Sequence, residues 1–254
     1  DRYGIAWLHP AGELRAAECS GAGLRFPRRA HALLGCASAP SQTEEPPRLL
    51  ADFGPGLPEP PVRTGSMGVF ATPWQVERGL LRGKALDSRV GVALALHAAR
   101  RTRKAAHSLV LALTTLGQVG QRAARAAADE LAPDWILTLG VLMLSGRREP
   151  EATLAHSGRG PAIVVRAPRF VADARLTETL VETAARARLP HQVVVTTVNP
   201  TGAEEMQAAL GGIPTATILV PATGVGTPIQ SIDARDVEAA LELIVRVVER
   251  PPAR

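Results

Sequence analysis

Few residues of this chain have the spacing that a catalytic or metal-binding motif requires. The six histidines include no pair such as H-x-x-x-H, which would place two imidazoles on one helix face to bind zinc. The sequence contains neither a G-x-S-x-G nucleophile elbow nor a phosphate-binding Walker loop. The two cysteines, Cys19 and Cys36, fit no zinc motif and cannot build a disulfide framework. Local motifs alone therefore assign no catalytic centre.

A glycine-containing turn is the nearest approach to a ligand-binding motif. The sequence G-Q-V-G-Q-R-A at residues 117–123 follows an apolar run and precedes a helical pattern. Glycines at a strand-to-helix turn let backbone N–H groups approach a phosphate. This turn lacks the first glycine pair of the dinucleotide fingerprint, and Gly140 and Val141 stand where an acidic residue would end the next strand. We therefore do not expect nucleotide binding.

The elements that would position a site follow from the hydrophobic period beyond Val76. Strand-like runs lie at residues 108–115, 134–144, 162–166, 191–198 and 215–220. Helical patterns lie at residues 88–101, 119–131, 174–188, 203–210 and 233–249, the last with Asp233 as its N-cap. Because the strands are apolar on both faces, we predict an α/β fold with a mostly parallel sheet covered by helices on both faces. We expect 108–115 and 215–220 among its buried strands.

The first 76 residues have a different pattern. Short apolar runs are separated there by Gly and Pro, and residues 40–61 are rich in Pro, Glu and Gly. This pattern is typical of a small β-rich unit with long loops. We therefore divide the chain into a β-rich accessory domain, residues 1–76, and an α/β domain, residues 77–254.

Composition restricts the partners. The net charge is +5, but the basic residues are scattered, and aromatic residues make up 3% of the chain. A protein that binds nucleic acid would cluster its charge and interleave aromatic side chains for base stacking. The sequence shows no apolar run long enough to cross a bilayer and no secretory leader. We expect a cytoplasmic protein with neither a nucleic-acid nor a membrane partner.

One segment carries a family resemblance. The sequence G-K-A-L-D-S-R-V-G at residues 83–91 resembles G-K-A-L-D-D-R-V-G, a signature of the tetrahedral aminopeptidases, which are often mislabelled endoglucanase or cellulase. Further segments that match the family in order are G-R-G-P-A-I at 158–163, G-I-P-T at 212–215 and S-I-D-A-R-D-V-E-A at 231–239. The resemblance covers residues 80–249 well and residues 1–79 more weakly.

The resemblance implies a zinc-exopeptidase-like α/β fold with an inserted PDZ-like domain that mediates oligomerisation. The family uses two zinc or cobalt ions, held by a His in an H-x-D motif, a bridging Asp, a Glu, a second Asp and a final His. A second Glu acts as general base. Two metals of this kind bind the attacking hydroxide and polarise the carbonyl of the substrate.

Most of these positions do not carry the family residue in this chain. Asp87 keeps the position of the bridging Asp. The Glu pair falls on Gly117 and Gln118, the second Asp falls on Gly140, and the final His falls on Gly226. The flanking matches anchor each of these positions. Glycine offers no side-chain ligand, and glutamine is a poor base for hydroxide formation.

Three further acidic residues bear on a possible metal site. Asp1 aligns with the Asp of the H-x-D motif, whose His would stand two residues before it. Glu204 and Glu205 lie on a predicted helix, where we expect a solvated face rather than substitute ligands.

The resemblance and the lost positions together predict a catalytically inactive pseudopeptidase that acts as a scaffold or a regulatory partner. We expect no catalytic residue, no metal site and no cofactor, and we expect a homo-oligomer or a hetero-oligomer with a paralogue. Two alternatives stay open. One is an active metal-dependent aminopeptidase that uses displaced ligands, and the other is a module that binds a small molecule or peptide in the old cleft.

Overall fold

The structure is a computed structural model of the chain. It describes residues 5–10, 14–26, 33–38, 49–54, 62–105, 107–115, 117, 120–144, 155–198 and 201–250. The chain divides into two compact units. The first, called here the N-terminal unit, comprises residues 1–75, 82–85 and 226–230. The second, called here the α/β unit, comprises residues 76–81, 86–225 and 231–254.

The N-terminal unit is built on a five-stranded sheet with the order β1-β4-β3-β2-β5. The strands are β1 (Ile5–Leu8), β2 (Gly23–Phe26), β3 (Leu33–Ser38), β4 (Leu49–Asp52) and β5 (Val69–Phe70). Neighbouring strands are antiparallel throughout. Short apolar runs broken by Gly and Pro predict this arrangement, because each run has the length of one strand.

A small apolar cluster closes this sheet. Leu24, Phe26, Ala37, Leu49 and Ala51 are buried in it together with a short 3₁₀ helix, Ala16–Cys19. Alternation along β2 and β4 places these side chains on one face. The Phe26 ring also packs at a tilt against the ring of Phe53, with 5.3 Å between the centroids.

The second sheet has the order β10-β9-β12-β13-β7-β6, with β11 added beside β9 and β8 beside β12. Its strands are β6 (Gln75–Glu77), β7 (Leu80–Gly83), β8 (Ile136–Met143), β9 (Ala162–Ala167), β10 (Phe170–Val171), β11 (Gln192–Val195), β12 (Thr215–Thr223) and β13 (Gln230–Asp233). The helices are α1 (Leu86–Arg101), α2 (Arg122–Leu131), α3 (Ala174–Arg186), α4 (Ala203–Gln207) and α5 (Ala234–Glu249). The predicted α/β class is confirmed.

The prediction of a mostly parallel sheet is wrong. The β12–β8 and β11–β9 pairs are parallel, but β9 is antiparallel to both β10 and β12, and β12 is antiparallel to β13. The connections explain two of these antiparallel pairs. A two-residue turn joins β9 to β10, and a short loop joins β12 to β13. Such short connections allow only antiparallel neighbours, whereas parallel pairing needs a long crossover.

Helices lie against both faces of β8, β9 and β12. Side chains of one face, including Val141, Ile163 and Ile218, share a cluster with α1, α3 and α5. The alternate residues, including Leu142 and Leu219, share a second cluster with Ala203 of α4. Because the side chains alternate along each strand, both faces need apolar residues, and this need accounts for the continuous apolar runs in the sequence.

The second run expected to be buried, residues 215–220, is confirmed as part of β12. Every residue of that strand from Thr215 to Ala222 is buried. Asp233 caps α5 as predicted, since its carboxylate accepts a hydrogen bond from the backbone N–H of Arg235 at 2.9 Å. None of the helices within the described residues combines the length and the apolar character needed to cross a bilayer.

The other run expected to be buried, residues 108–115, is not a strand. The structure gives it no regular secondary structure, and all eight of its residues are exposed. The physical reason is that none of the described strands pairs with this run. A run that is apolar on both faces is buried only when strands flank it and other elements cover it, and no described element does so here.

Candidate functional site

Asp87, the one retained family position among the predicted ligands, lies at the beginning of α1. Its backbone is extended, with φ −52° and ψ 135°, and the next residue, Ser88, has φ 65°. Regular helix geometry therefore starts after these two residues, and Asp87 is half-buried at the turn that leads into α1.

A close contact brings this end of α1 to β8. A Cβ atom on Gly91 would lie 2.5 Å from the carbonyl oxygen of Leu139 and 3.2 Å from the backbone nitrogen of Gly140. A glycine is therefore required where the helix backbone passes the strand. The close approach therefore joins Gly91 of α1 to Leu139 and Gly140 of β8.

Hydroxyl groups, rather than carboxylates, occupy the strand face that includes Gly140. Gly140 is buried and pairs with Leu219 of β12. Two residues before it, on the same face, the Thr138 hydroxyl lies 2.7 Å from the hydroxyl of Thr217. The same Thr138 oxygen lies 3.2 Å from the hydroxyl of Thr201, at the approach to α4. These neutral groups satisfy one another and supply no charge to a metal ion.

The position after Thr201 is closed by α2. A Cβ atom on Gly202 would lie 2.6 Å from Oε1 of Gln121 and 2.8 Å from Cβ of Ala124. In the family resemblance, residues 201–203 correspond to a T-D-A segment, so Gly202 stands at the position of its Asp. No carboxylate side chain fits at this position unless α2 moves.

Of the remaining predicted positions, the structure describes Gly117 and Gly226. Gly117 is exposed, and a Cβ atom there would meet nothing within 4 Å. Gly226 belongs to the N-terminal unit, where its carbonyl accepts a hydrogen bond from the backbone N–H of Arg15 at 2.8 Å. Asp1 and Gln118 lie outside the described residues.

The donor set does not fit a pair of metal ions. Within the described ranges no three His, Cys, Asp or Glu side chains lie close enough to hold a cation. Two-metal chemistry needs several carboxylates and imidazoles around ions a few ångströms apart. The loss of the metal site stays a prediction, because two of its positions are outside the described ranges.

The expectation that Glu204 lies on a solvated helix face is wrong. Its side chain is buried, and Oε1 accepts a hydrogen bond from the Arg169 guanidinium at 3.0 Å. Glu205 is half-exposed and lies 3.9 Å from the same guanidinium. This ion pair joins α4 to the turn between β9 and β10, so the Glu204 carboxylate has a structural partner.

A buried carboxylate that the sequence analysis missed is Asp236, in the first turn of α5. It is fully buried, and its two oxygens accept hydrogen bonds of 2.7 Å from the backbone N–H groups of Gly158 and Gly160. Burial raises the pKa of Asp236, although the two hydrogen bonds act in the opposite direction. The side-chain hydrogen bond from Arg235 lowers the pKa of the neighbouring Asp233.

The signal for this carboxylate was present in the sequence. G-R-G-P-A-I and S-I-D-A-R-D both matched the family, and the structure shows why they occur together: one segment supplies the N–H groups and the other the acid. With both oxygens occupied by backbone donors, Asp236 is a structural group.

A thiol nucleophile is also absent from the described side chains. Cys19 is fully buried, and burial, reinforced by the charge of Glu18, raises the pKa of its thiol to about 11. Nucleophilic cysteines are exposed thiolates with a lowered pKa, so Cys19 is an inert core residue.

The chain belongs to the M42 glutamyl aminopeptidase family, whose family model matches residues 59–243. A provisionally named aminopeptidase of Acetivibrio thermocellus is 26% identical over 187 residues, which are 74% of this chain and 57% of that protein. The chain therefore spans little more than half the length of this curated relative. The activity of that whole protein is therefore only a proposal for this chain.

Solved structures share the fold. An aminopeptidase from the archaeon Desulfurococcus kamchatkensis superposes with a TM-score of 0.83 at 24% identity, covering 97% of this chain and 74% of that chain. The TET1 peptidase of Pyrococcus horikoshii, described as assembling into a tetrahedron or a large octahedral shell, gives a TM-score of 0.76 at 18% identity. That alignment covers 98% of this chain and 78% of the TET1 chain.

Proposed function

We propose that this chain is a non-catalytic member of the M42 family that acts as a scaffold or as a regulatory partner of an active paralogue. The observation that carries the proposal is the chemistry of the ligand positions. Glycines stand at residues 117, 140 and 226, where the resemblance calls for carboxylate or imidazole side chains. With glycine at three of the ligand positions, too few side chains remain to hold two divalent ions.

The packing around the former site supports the same proposal. The close approach at Gly202 leaves no space for a carboxylate beside α2, and hydroxyl groups fill the face around Gly140. A cluster of buried acids needs its cations, because unpaired buried carboxylates are costly. Glycines and threonines remove that requirement, so the fold stands without metal.

Self-association is the second part of the proposal. The Pyrococcus horikoshii relative forms closed shells, and a second solved structure of this group is described as a dodecamer. We propose that residues 1–76 act as an oligomerisation domain for residues 77–254, in a homo-oligomer or with a paralogue. A scaffold of this kind would act in the cytoplasm and need no cofactor.

An active aminopeptidase is the alternative that family membership favours. In that case ligands other than the family positions would hold zinc or cobalt, and the chain would hydrolyse N-terminal residues of peptides. Side chains outside the described ranges would have to supply most of these ligands.

An activity assay separates the two functions. The purified chain is incubated with aminoacyl and peptide substrates in added zinc or cobalt, beside an active family member as positive control. We expect no release of amino acid above the blank, because the glycines at residues 117, 140 and 226 supply no side chain to hold a pair of ions. Turnover that Asp87→Ala abolishes would refute the proposal and support the active enzyme.

A further inference from the structure

Two elements of the α/β unit hold the segment that leads into α4. The hydroxyl oxygen of Thr201 lies 3.2 Å from the hydroxyl oxygen of Thr138 on β8. The Thr201 oxygen also accepts a hydrogen bond of 3.2 Å from the backbone N–H of Ala203. The first turn of α2 contacts the same segment at Gly202. Residues 201–203 are therefore held by both the strand and the helix.

The backbones of α2 and Gly202 approach each other more closely than a side chain at residue 202 permits. A Cβ atom on Gly202 would lie 2.8 Å from Cβ of Ala124, whereas carbon atoms pack at about 3.5–4.0 Å. Because Cβ of Ala124 is fixed to the helix backbone, it can move only with α2. The backbone of Gly202, with φ −80°, suits other residues as well as glycine. The close approach of α2, and not the local conformation, therefore requires a glycine here.

The packing of α2 resists a movement away from this contact. Ala124 and Ala128, which lie on one face of the helix, are 3% and 4% exposed. Ala128 shares an apolar cluster with Ala209 and Ile213, which follow α4 in the chain. Moving the first turn of α2 away from Gly202 would therefore also disturb this cluster.

The turn before α2 gives a second indication that packing holds the helix in place. Gln121, at the N-cap position, has a left-handed backbone with φ 51° and makes no side-chain capping hydrogen bond. This conformation is unfavourable for residues other than glycine, and it persists where the surrounding structure imposes it. Oε1 of Gln121 would lie 2.6 Å from a Cβ atom on Gly202, so this side chain reaches the same point. Packing, and not capping, fixes where α2 begins.

We infer that the contact between Gly202 and Ala124 locks α2 onto residues 201–203 and closes the space that a carboxylate at residue 202 would occupy. A chain with a side chain there must hold the two segments roughly 0.7 Å or more farther apart. The inference deepens the proposed function and rests on it for the family correspondence of residue 202. The chain has lost the space for the T-D-A carboxylate as well as the carboxylate itself, so a return substitution at this position displaces α2.

A double-mutant cycle measures this contact. Urea denaturation follows the intact chain, Gly202→Ala, Ala124→Gly and the double variant. Gly202→Ala should lower the folding equilibrium constant at least about tenfold, because the added methyl group overpacks the contact. In the Ala124→Gly background the same substitution should lower this constant less than about threefold, since the opposing methyl group is absent. Ala126→Gly, at an exposed position on α2, is the matched control, because it lowers helix propensity alone and should not relieve the effect of Gly202→Ala.

Hydrogen exchange locates the displacement. Exchange of the backbone amides of α2 should be accelerated in Gly202→Ala by a larger factor than exchange of the amides of α5. If Gly202→Ala does not fold, recovery of folded protein on adding Ala124→Gly supports the inference. A Gly202→Ala chain as stable as the intact chain, a loss that Ala124→Gly does not reduce, or equal relief by Ala126→Gly would overturn it. None of these results depends on peptidase activity, so an active chain would refute the proposed function and leave this contact standing.

Discussion

The threonine pair beneath Gly140 offers the sharpest test of the packing. Thr217 is only 1% exposed, and its hydroxyl lies 2.7 Å from the hydroxyl of Thr138. Thr138 also contacts the hydroxyl of Thr201 at 3.2 Å, so it has a second partner. Replacing either threonine by valine keeps the side-chain shape and removes one hydroxyl.

The two substitutions should lower the free energy of unfolding by different amounts. Thr138→Val leaves the Thr217 hydroxyl with no described partner, and a stranded buried hydroxyl costs about 1–3 kcal/mol. Thr217→Val leaves Thr138 with Thr201 and should cost about 0.5–1.5 kcal/mol. Replacing both partners by apolar groups of the same shape is close to neutral. The loss in free energy of unfolding of the double variant should therefore be smaller than the sum of the two single losses, by at least about 1 kcal/mol.

Urea denaturation of the chain, of both single variants and of the double variant measures this coupling. Thr223→Val, at an exposed position at the end of the same strand, is the control and should change stability by less than about 0.5 kcal/mol. Losses that add to within about 0.5 kcal/mol would show that the two hydroxyls do not depend on each other, and the reasoning would fail.

Two more predictions concern the Asp236 cradle. Gly160 has φ 91°, and a Cβ atom there would lie 2.1 Å from the carbonyl oxygen of Pro190. Gly160→Ala should therefore lower the free energy of unfolding, measured by urea denaturation, by about 2–4 kcal/mol. Gly117→Ala is the control and should have little effect, because the space around Gly117 is open. Because burial raises the pKa of Asp236 above its unfolded value, the folded chain holds this proton more tightly, and the contribution of Asp236 to stability falls as pH rises above about 4. The difference in free energy of unfolding between the chain and Asp236→Asn should therefore shrink from pH 4 towards neutral pH. The same difference for Glu238→Gln, at an exposed position on α5, should show no such trend. If the difference for Asp236→Asn widened as pH rose, the assigned direction of the Asp236 pKa shift would be wrong.

Local signals allowed much of the fold to be predicted. Helical periodicity and the N-cap residue Asp233 located α5 correctly, and continuous β-branched content located β12. These features depend on residues close together in sequence, and the same is true of the short strands of the N-terminal unit. Strand direction depends on connection length and on which strands meet, and apolar runs are the same for parallel and antiparallel neighbours.

Long-range partners account for the errors. Residues 108–115 have the composition of a buried strand, but burial also requires paired strands beside the run and a cover on each face, and no described strand pairs with it. Glu204 was expected in solvent because its ion-pair partner, Arg169, stands far away in sequence. Asp236 was missed for the same reason, since its donors lie 76 and 78 residues before it.

Metal content tests the central claim most directly. The chain is purified, dialysed against zinc or cobalt, freed of excess metal and analysed for bound ions per chain, beside an active family member treated identically. The account predicts well below one ion per chain, and the same value for Asp87→Ala, because a single carboxylate binds a divalent ion weakly. Two ions per chain, lost on Asp87→Ala, would contradict the claim that this fold has given up its metal centre.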